Sequence, residues 1–296
     1  MTDTVIARAG IVAKRGLLAA SEHLDRLATW LQARNIAPVY ETETAALAGT
    51  RSTTQTWSRD DLPLHVDVII VLGGDGTLLS MATRIARTTC EVPMLGVNFG
   101  SLGFLTETRI DELYPTLESV IAGTAIYDQR TLLAAEAYRE RERFDSRVVL
   151  NDVVFTKAAL SRIIELSVSV STGLMTKVKA DGLIVASATG STAYNLAAGG
   201  PIVHPRVDAL VLTPIAPHTL THRPVVIPGS EIVEVRPLPD AGADDIYVTY
   251  DGQSGYPLQK GDSIRIRKHE RVLRLVKAPA RSYFEVLREK LKWGER

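Results

Sequence analysis

Hydrophobic residues in the first half of the chain switch repeatedly between strand-like runs and helix-like spacing. Residues 9–14 and 37–41 are predicted as short strands. Between them, apolar residues recur at helical spacings of three and four, at Leu17, Ala20, Leu24, Leu27 and Leu31. The nearly continuous apolar runs 66–72 and 92–97 are typical of strands buried on both faces, with a predicted helix over 78–86 between them. Residues 41–61, rich in Thr, Ser and Asp, are predicted as a surface loop.

Alternating strands and helices of these lengths predict a parallel sheet with helices on both faces, and such sheets bind ligands at the carboxyl ends of their strands. The pattern changes near residue 124. Over 163–170 apolar residues alternate with serines, which is typical of a strand with one solvated face. Further strands are predicted over 147–155, 175–180, 182–187, 232–236, 246–250 and 263–267. Helical spacing returns over 282–293.

The predicted fold class is an α/β amino-terminal domain with a parallel sheet, followed by a β-rich second domain. The first domain covers residues 1–123 together with 277–296, whose helix packs back on it. The second domain covers 124–276. A length of 296 residues agrees with two domains of roughly 150 residues each.

Composition removes several functional classes. Lys plus Arg and Asp plus Glu both number 34, so the balanced charge argues against a general nucleic-acid or anionic-membrane binder. Cys90 is the single cysteine, which excludes an internal disulfide framework and a cysteine-based zinc site. Because no secretory signal and no apolar run of about 18 residues is recognised, we expect a soluble cytoplasmic protein without nucleic-acid or membrane partners.

The first chemical motif, Gly73-Gly74-Asp75-Gly76-Thr77, lies between a predicted strand and a predicted helix. Glycines permit positive φ angles and close approach of a ligand, and amide groups at a helix start favour phosphate. A carboxylate repels phosphate, so Asp75 is interpreted as a general base or an indirect metal ligand. The alternative is a tight turn in which Asp75 caps the helix. Leu79 replaces the third glycine of a dinucleotide fingerprint, and no P-loop pattern occurs.

The second motif is the polar pair Asn151-Asp152 inside an apolar strand pattern. Two adjacent polar groups in such a strand are costly unless they find partners, and sugar hydroxyls would satisfy both. The alternative is an Asx turn or bulge that interrupts the strand.

The third motif spans residues 181–201 and runs from a strand through Thr189-Gly190-Ser191-Thr192 into a predicted short helix over 193–198. Gly199-Gly200-Pro201 then ends the helix. Its clustered small residues leave room for a flat ligand. The alternative is a Ser/Thr-capped helix packed closely through its alanines.

The fourth motif, Asp251-Gly252-Gln253, is most simply a type I′ hairpin turn. His218 and His222 are four residues apart, but Pro217 and Pro224 flank them, so we predict no helical metal site there.

In this order and spacing the four motifs, together with Asn98-Phe-Gly-Ser-Leu-Gly-Phe-Leu-Thr106, resemble the NAD kinase family, whose members phosphorylate NAD to NADP. Diacylglycerol-type lipid kinases and phosphofructokinases carry loops similar to Gly-Gly-Asp-Gly alone. The second and third motifs are far more specific. The resemblance covers most of the chain, from Val66 to about Gly255.

The resemblance implies an active site in the cleft between the two domains. Asp75 would be the catalytic base that takes the proton from the adenosine ribose 2′-hydroxyl as it attacks the γ-phosphate of ATP. Gly74 and Gly76 would face the phosphates, and Asn151 and Asp152 would hold NAD. Asp75 is itself among the cofactor-binding residues implied, and the others are Arg162, Lys179, Asp181, Thr192, Ala193, Tyr194, Asn195, Leu196, Ala197 and Gln253.

The family also implies Mg²⁺ or another divalent cation carried by the nucleotide, no protein metal site, and a homodimer or homotetramer. The sequence leaves open whether ATP, another triphosphate or polyphosphate is the donor, and whether NAD or NADH is the acceptor.

Three other functions are weighed against this one. A lipid kinase would need an apolar or basic patch that faces the membrane, and the neutral, evenly mixed composition of the sequence gives no sign of one. A non-catalytic NAD(P) sensor would not need Asp75. A dehydrogenase is disfavoured because the dinucleotide fingerprint is missing.

Overall fold

The computed structural model describes residues 6–48, 55–100, 102–157, 163–171, 173–219, 221–238, 246–278 and 281–294. The chain divides into two compact units. The first comprises Met1–Gln129 and Leu273–Arg296, and the second comprises Arg130–Val272. The functional domain boundaries expected near residues 123 and 276 stay a prediction. No described helix combines the length and apolar character that a membrane crossing requires.

Helices and strands are numbered in chain order. The α-helices are α1 (Ser21–Gln32), α2 (Thr42–Leu47), α3 (Asp75–Arg87), α4 (Leu113–Ile121), α5 (Tyr194–Ala197) and α6 (Tyr283–Leu291). The strands are β1 (Arg8–Ala13), β2 (Ala37–Glu41), β3 (Thr56–Trp57), β4 (Val68–Leu72), β5 (Met94–Asn98), β6 (Thr108–Arg109), β7 (Tyr127–Arg139), β8 (Glu142–Val149), β9 (Asp152–Lys157), β10 (Ile164–Val170), β11 (Gly173–Ala180), β12 (Gly182–Ser187), β13 (Ala209–Ile215), β14 (Val225–Pro228), β15 (Val233–Pro237), β16 (Ile246–Tyr250), β17 (Ser254–Pro257) and β18 (Asp262–Val276).

The first unit contains the predicted parallel sheet. Its strand order is β5-β4-β1-β2-β3, and the end of β18 and the short β6 both pair with β5. β4 is buried at every position, as its continuous apolar run predicts. Leu24, Leu27 and Leu31 of α1 are buried in the core of this unit, which confirms the helical spacing of the leucines.

Residues 42–47 and 56–57 contradict the predicted surface loop, because they form α2 and β3. The Glu41 carboxylate explains the helix, since it accepts hydrogen bonds from the backbone N–H and the hydroxyl of Thr44. This is an N-terminal cap, in which a side chain satisfies an amide that the first turn leaves unpaired. The sequence gives no local sign of this cap, because Glu is not among the residues that usually occupy the N-cap position.

The second unit is built from antiparallel strands in two sheets. One sheet has the order β11-β10-β15-β18 with β7 and β8 beyond it, and the other has the order β14-β13-β12-β9-β16-β17. Apolar residues from both sheets share one buried cluster, for example Leu166 and Val235 from the first, with Val185 and Val248 from the second. The expectation of a β-rich second domain is therefore confirmed.

Helix α6 belongs to the first unit, as predicted. It begins with a capping box in which Ser282 and Glu285 satisfy each other's backbone amides. Its Val286 and Leu287 are buried, and Glu289 forms an ion pair with Arg109 of the same unit at 2.8 Å. The fold class predicted from the sequence is confirmed.

Candidate active site

The glycine loop of the first unit follows β4 and precedes α3. Gly74 is the residue before the helix, with extended backbone at φ −96° and ψ −176°. None of Gly73, Gly74 and Gly76 uses the positive φ angle that glycine permits. Instead, a Cβ atom added to Gly74 or Gly76 would meet no atom within 4 Å, so glycine here keeps open space above the backbone.

Three backbone amides lie in this loop, at the start of α3. Among the described residues, the N–H groups of Gly74, Asp75 and Gly76 have no hydrogen-bond acceptor, whereas Gly73 N–H donates to the Val97 carbonyl at 2.9 Å. The first amides of a helix lack partners within the helix and carry the positive end of its dipole. The loop therefore offers unpaired donors at the carboxyl end of a parallel sheet, where an anionic group would be stabilised.

The Asp75 carboxylate points toward the segment that follows β5. Its Oδ2 accepts from the Phe104 N–H at 2.8 Å. Its Oδ1 accepts from the N–H groups of Leu105 at 3.1 Å and Thr106 at 3.0 Å, and from the Thr106 hydroxyl at 2.9 Å. The alternative of Asp75 as a helix cap is wrong, because its helix has no side-chain cap and its carboxylate is held by another segment.

Gly103 makes this arrangement possible. A Cβ at Gly103 would lie 2.0 Å from Oδ1 of Asp75 and 2.4 Å from the Thr106 hydroxyl oxygen, so any side chain would displace the carboxylate. Sequence reasoning assigned no role to Gly103 or Thr106. The only signal was their place in the Asn98–Thr106 segment, since nothing local ties that segment to Asp75.

The polar pair of the second unit lies where one predicted strand is in fact two. β8 ends at Val149 and β9 begins at Asp152, so the alternative of an interrupted strand is confirmed. The Asp251 carboxylate crosses this break and accepts from the N–H groups of Leu150 at 2.8 Å, Asn151 at 2.7 Å and Asp152 at 3.1 Å. One buried carboxylate thus fixes the backbone that presents Asn151 and Asp152.

The turn that carries Asp251 has the predicted hairpin form. Asp251 and Gly252 have φ angles of +52° and +62°, and Gln253 N–H donates to the Tyr250 carbonyl at 2.9 Å. Sequence reasoning selected Gln253, which is exposed, and missed the Asp251 side chain. The hairpin turn alone explains an Asp-Gly pair, so nothing in the sequence indicated that the Asp251 carboxylate also binds the backbone amides of residues 150–152.

The third motif packs on the second. Ser187 donates its hydroxyl to the Leu150 carbonyl at 2.6 Å and its N–H to the Asn151 carbonyl at 2.8 Å. Gly190 N–H in turn donates to the Ser187 hydroxyl at 3.1 Å. The N-cap residues of the 3₁₀ turn Thr189–Thr192 and of the four-residue α5 are alanines, so the serine hydroxyl that holds the first turn comes from Ser187, one residue before the cap position.

A pocket of about 180 Å³ results from this packing. Its lining combines carboxyl, amide, hydroxyl and phenol groups with a few apolar surfaces. The lining residues are Asn151, Asp152, Val154, Ala193, Tyr194, Thr249, Asp251 and Gly252. Four of the expected dinucleotide-binding residues, Asn151, Asp152, Ala193 and Tyr194, therefore surround one cavity.

The remaining expected binding residues lie elsewhere in the second unit. Asn195 is fully buried and uses its side-chain amide to hold the turn, donating to the Ser191 and Pro201 carbonyls and accepting from Thr213. Lys179 and Asp181 form ion pairs with Glu165 and Lys157. Thr192 donates to the Thr189 carbonyl, Leu196 is half-buried and Ala197 is exposed. Arg162 lies outside the described residues. A dinucleotide-binding role for these residues stays a prediction.

Asp152 has an unusual electrostatic environment. Burial, together with the negative charge of Asp251, raises the pKa of Asp152 to about 7. No hydrogen-bond donor to its carboxyl occurs among the described residues. A buried carboxyl that lacks a donor and lines a pocket is suited to accept a hydrogen bond from a ligand hydroxyl.

Folding stability is expected to depend on the protonation of Asp152. Because its pKa is higher in the folded than in the unfolded protein, the folded state binds more protons between about pH 4 and 7, and the free energy of unfolding falls as the pH rises through that range. Asp152→Asn should flatten this dependence and be more stable than the wild type above pH 7. Urea unfolding at several pH values measures it. The exposed Asp208→Asn is the control, and an unchanged slope in Asp152→Asn would contradict the assignment.

Comparisons with known proteins identify the family of this chain. Residues 9–125 match the ATP-NAD kinase N-terminal domain, and residues 150–278 match the ATP-NAD kinase C-terminal domain. The NAD kinase of Geotalea daltonii is 47% identical over 272 residues, covering 92% of this chain and 93% of that protein. The NAD kinase of Solibacter usitatus is 43% identical over 293 residues, covering 99% of each chain.

Two solved structures share the fold. Yeast NADH kinase complexed with NADH superposes with a TM-score of 0.88 at 24% identity, covering 99% of this chain and 89% of that chain. The NAD kinase of Archaeoglobus fulgidus in complex with ATP superposes with a TM-score of 0.74 at 23% identity, covering 95% of this chain and 99% of that chain.

Unpaired amides on an open glycine loop, a fixed carboxylate in the same unit and a polar pocket in the second unit define a phosphotransferase that acts on a small molecule. The family matches together cover most of the chain. The chain belongs to the NAD kinase family.

Proposed function

We propose that the protein transfers the γ-phosphate of ATP to the 2′-hydroxyl of the adenosine ribose of NAD, producing NADP and ADP. The observation that carries this proposal is the Asp75 carboxylate, held by four hydrogen bonds beside an open glycine loop in a chain of the NAD kinase family. Phosphoryl transfer needs mainly positioning and charge stabilisation, which such a loop and carboxylate supply.

The first unit carries the reacting groups. Asp75 accepts the proton of the ribose 2′-hydroxyl while the hydroxyl oxygen bonds to the γ-phosphorus, and the bond from that phosphorus to the β–γ bridging oxygen breaks, releasing ADP. The amides of Gly74, Asp75 and Gly76 bind phosphate oxygens. The divalent cation arrives as part of the nucleotide substrate and neutralises phosphate charge. No three metal-ligating side chains come together among the described residues.

The second unit binds the dinucleotide. The Asp152 carboxyl accepts from a ribose hydroxyl, and Asn151 offers both a donor and an acceptor from the same pocket wall. Tyr194, whose side chain is 45% exposed, offers a flat surface for a ring. Family membership supports these assignments. It also supports the homodimer or homotetramer and the cytoplasmic location that were expected from the sequence.

The activity is tested by incubating purified protein with NAD, ATP and Mg²⁺ and detecting NADP with an NADP-specific dehydrogenase. Formation of NADP is the expected result. A folded protein that binds NAD but forms no NADP would point to a sensor or another phosphate donor. A folded protein that fails to bind NAD would overturn the proposal.

The loop glycines are expected to matter for the donor rather than for folding. Gly74→Ala meets no neighbouring atom in the free protein, so its unfolding midpoint should stay near that of the wild type. Its methyl group would occupy the space above the amides, and we expect the KM for ATP to rise about tenfold or more, corresponding to about 1.4 kcal/mol or more. Steady-state kinetics with varied ATP measures the change.

Gly173→Ala is the control for the loop variant, because a Cβ there is equally unobstructed but lies on β11 of the second unit. Gly173→Ala should keep the KM for ATP of the wild type. A Gly74→Ala protein with unaltered kinetics would show that phosphate does not bind above this loop.

A further inference from the structure

We infer that Thr106 is a positioning residue for Asp75, and that Oδ2 of Asp75 is the oxygen that receives the proton. The inference rests on the proposed function and deepens it. All the residues involved lie in the first unit, which is compact. It follows from the unequal hydrogen bonding of the two carboxylate oxygens.

Oδ1 of Asp75 accepts three hydrogen bonds, two from backbone amides and one from the Thr106 hydroxyl. A carboxylate oxygen offers about two lone-pair sites, so Oδ1 has no capacity for a further donor. Among the described residues, Oδ2 accepts a hydrogen bond only from the Phe104 N–H, at 2.8 Å. One lone pair of Oδ2 therefore remains for a substrate hydroxyl.

A series of hydrogen bonds fixes the Thr106 hydroxyl. Gly100 N–H donates to Oδ1 of Asn98 at 2.6 Å, and Nδ2 of Asn98 donates to the Thr106 hydroxyl oxygen at 3.2 Å. The hydroxyl thus accepts from Asn98 and donates its own proton to Oδ1 of Asp75, which as a carboxylate oxygen can only accept. Asn98 is the last residue of β5, and Thr106 is fully buried. This series of hydrogen bonds is therefore held by the sheet and is shielded from solvent.

Two variants separate the hydroxyl from the space that the side chain fills. Thr106→Val keeps the shape but removes the bond to Oδ1, while Thr106→Ser keeps the hydroxyl. We expect kcat of Thr106→Val to fall about ten- to a hundredfold with the KM for NAD within about twofold of the wild type. Thr106→Ser should recover most of the lost kcat. Steady-state formation of NADP measures both parameters.

Thr116→Val is the matched control. Thr116 is also fully buried in the first unit, but its hydroxyl has no hydrogen-bond partner among the described residues, so kcat should stay at the wild-type value. The double variant Thr106→Val with Asp75→Asn completes a cycle. If Thr106 acts through Asp75, the valine should lower kcat no further in the asparagine background.

Wild-type kcat in Thr106→Val, or a serine variant as slow as the valine variant, would overturn the inference. Additive losses in the cycle would do the same. If Thr106→Val does not fold, Asn98→Ala removes the hydrogen bond that holds the Thr106 hydroxyl. This variant is expected to have a lower kcat and an unchanged KM for NAD. Full activity of Asn98→Ala would count against the inference. Absence of NADP from the wild type would instead refute the proposed function itself.

Discussion

Asp75→Asn is expected to lower the rate of NADP formation by about 10²–10⁴-fold, the usual contribution of a positioned general base. The amide cannot take the proton of the ribose hydroxyl. It also fits the existing bonds poorly, since the segment after β5 offers donors to both oxygens. With the amide oxygen toward Leu105 and Thr106, its NH₂ group would face the Phe104 N–H, two donors in contact.

The measurement is the coupled NADP assay, with thermal unfolding and NAD titration on the same preparation. Asp25→Asn, an exposed substitution on α1, is the control and should retain wild-type activity. NAD affinity of Asp75→Asn should change little, because the expected dinucleotide pocket is built by other residues. A folded Asp75→Asn protein within about threefold of the wild-type rate would exclude Asp75 as the base.

Gly190→Ala is expected to destabilise the second unit and to weaken NAD binding together. A Cβ at Gly190 would lie 2.1 Å from the Asn151 carbonyl oxygen and 2.8 Å from the Asn151 Cα. These are backbone atoms held by hydrogen bonds to Ser187 and Asp251, so they cannot move aside cheaply. We expect a loss of about 1–3 kcal/mol or more in the free energy of unfolding.

The same displacement moves Asn151 and Asp152 at the pocket wall, so the dissociation constant for NAD should rise at least about tenfold, or about 1.4 kcal/mol. Urea unfolding and calorimetric titration with NAD measure the two effects. Gly173→Ala, unobstructed in the same unit, should leave both unchanged. A Gly190→Ala protein with wild-type stability and affinity would show that the two motifs do not depend on each other.

Local sequence pattern predicted most of the elements. Helix α1 followed from its leucines, β4 from its apolar run, and α6 from its returning helical spacing. These predictions succeed because burial of one helix face requires apolar residues at helical spacing, and burial of a whole strand requires a continuous apolar run. The prediction failed at residues 42–47 because the cap there is the Glu41 side chain, and Glu is not a usual N-cap residue that would indicate a helix start.

Sequence by itself determined the fold class, the glycine loop, the polar pair Asn151-Asp152 and the choice of Asp75, since each follows from a pattern of residues close together in the sequence. Only the tertiary structure decided which groups hold the Asp75 carboxylate and the Asn151-Asp152 backbone in place. The amides that fix Asp75 are 29 to 31 residues away, and the Asp251 carboxylate that fixes Asn151 is 100 residues away. Hydrogen bonds between residues so far apart leave no periodicity or local motif, because they depend on which strand ends meet after the sheets have formed.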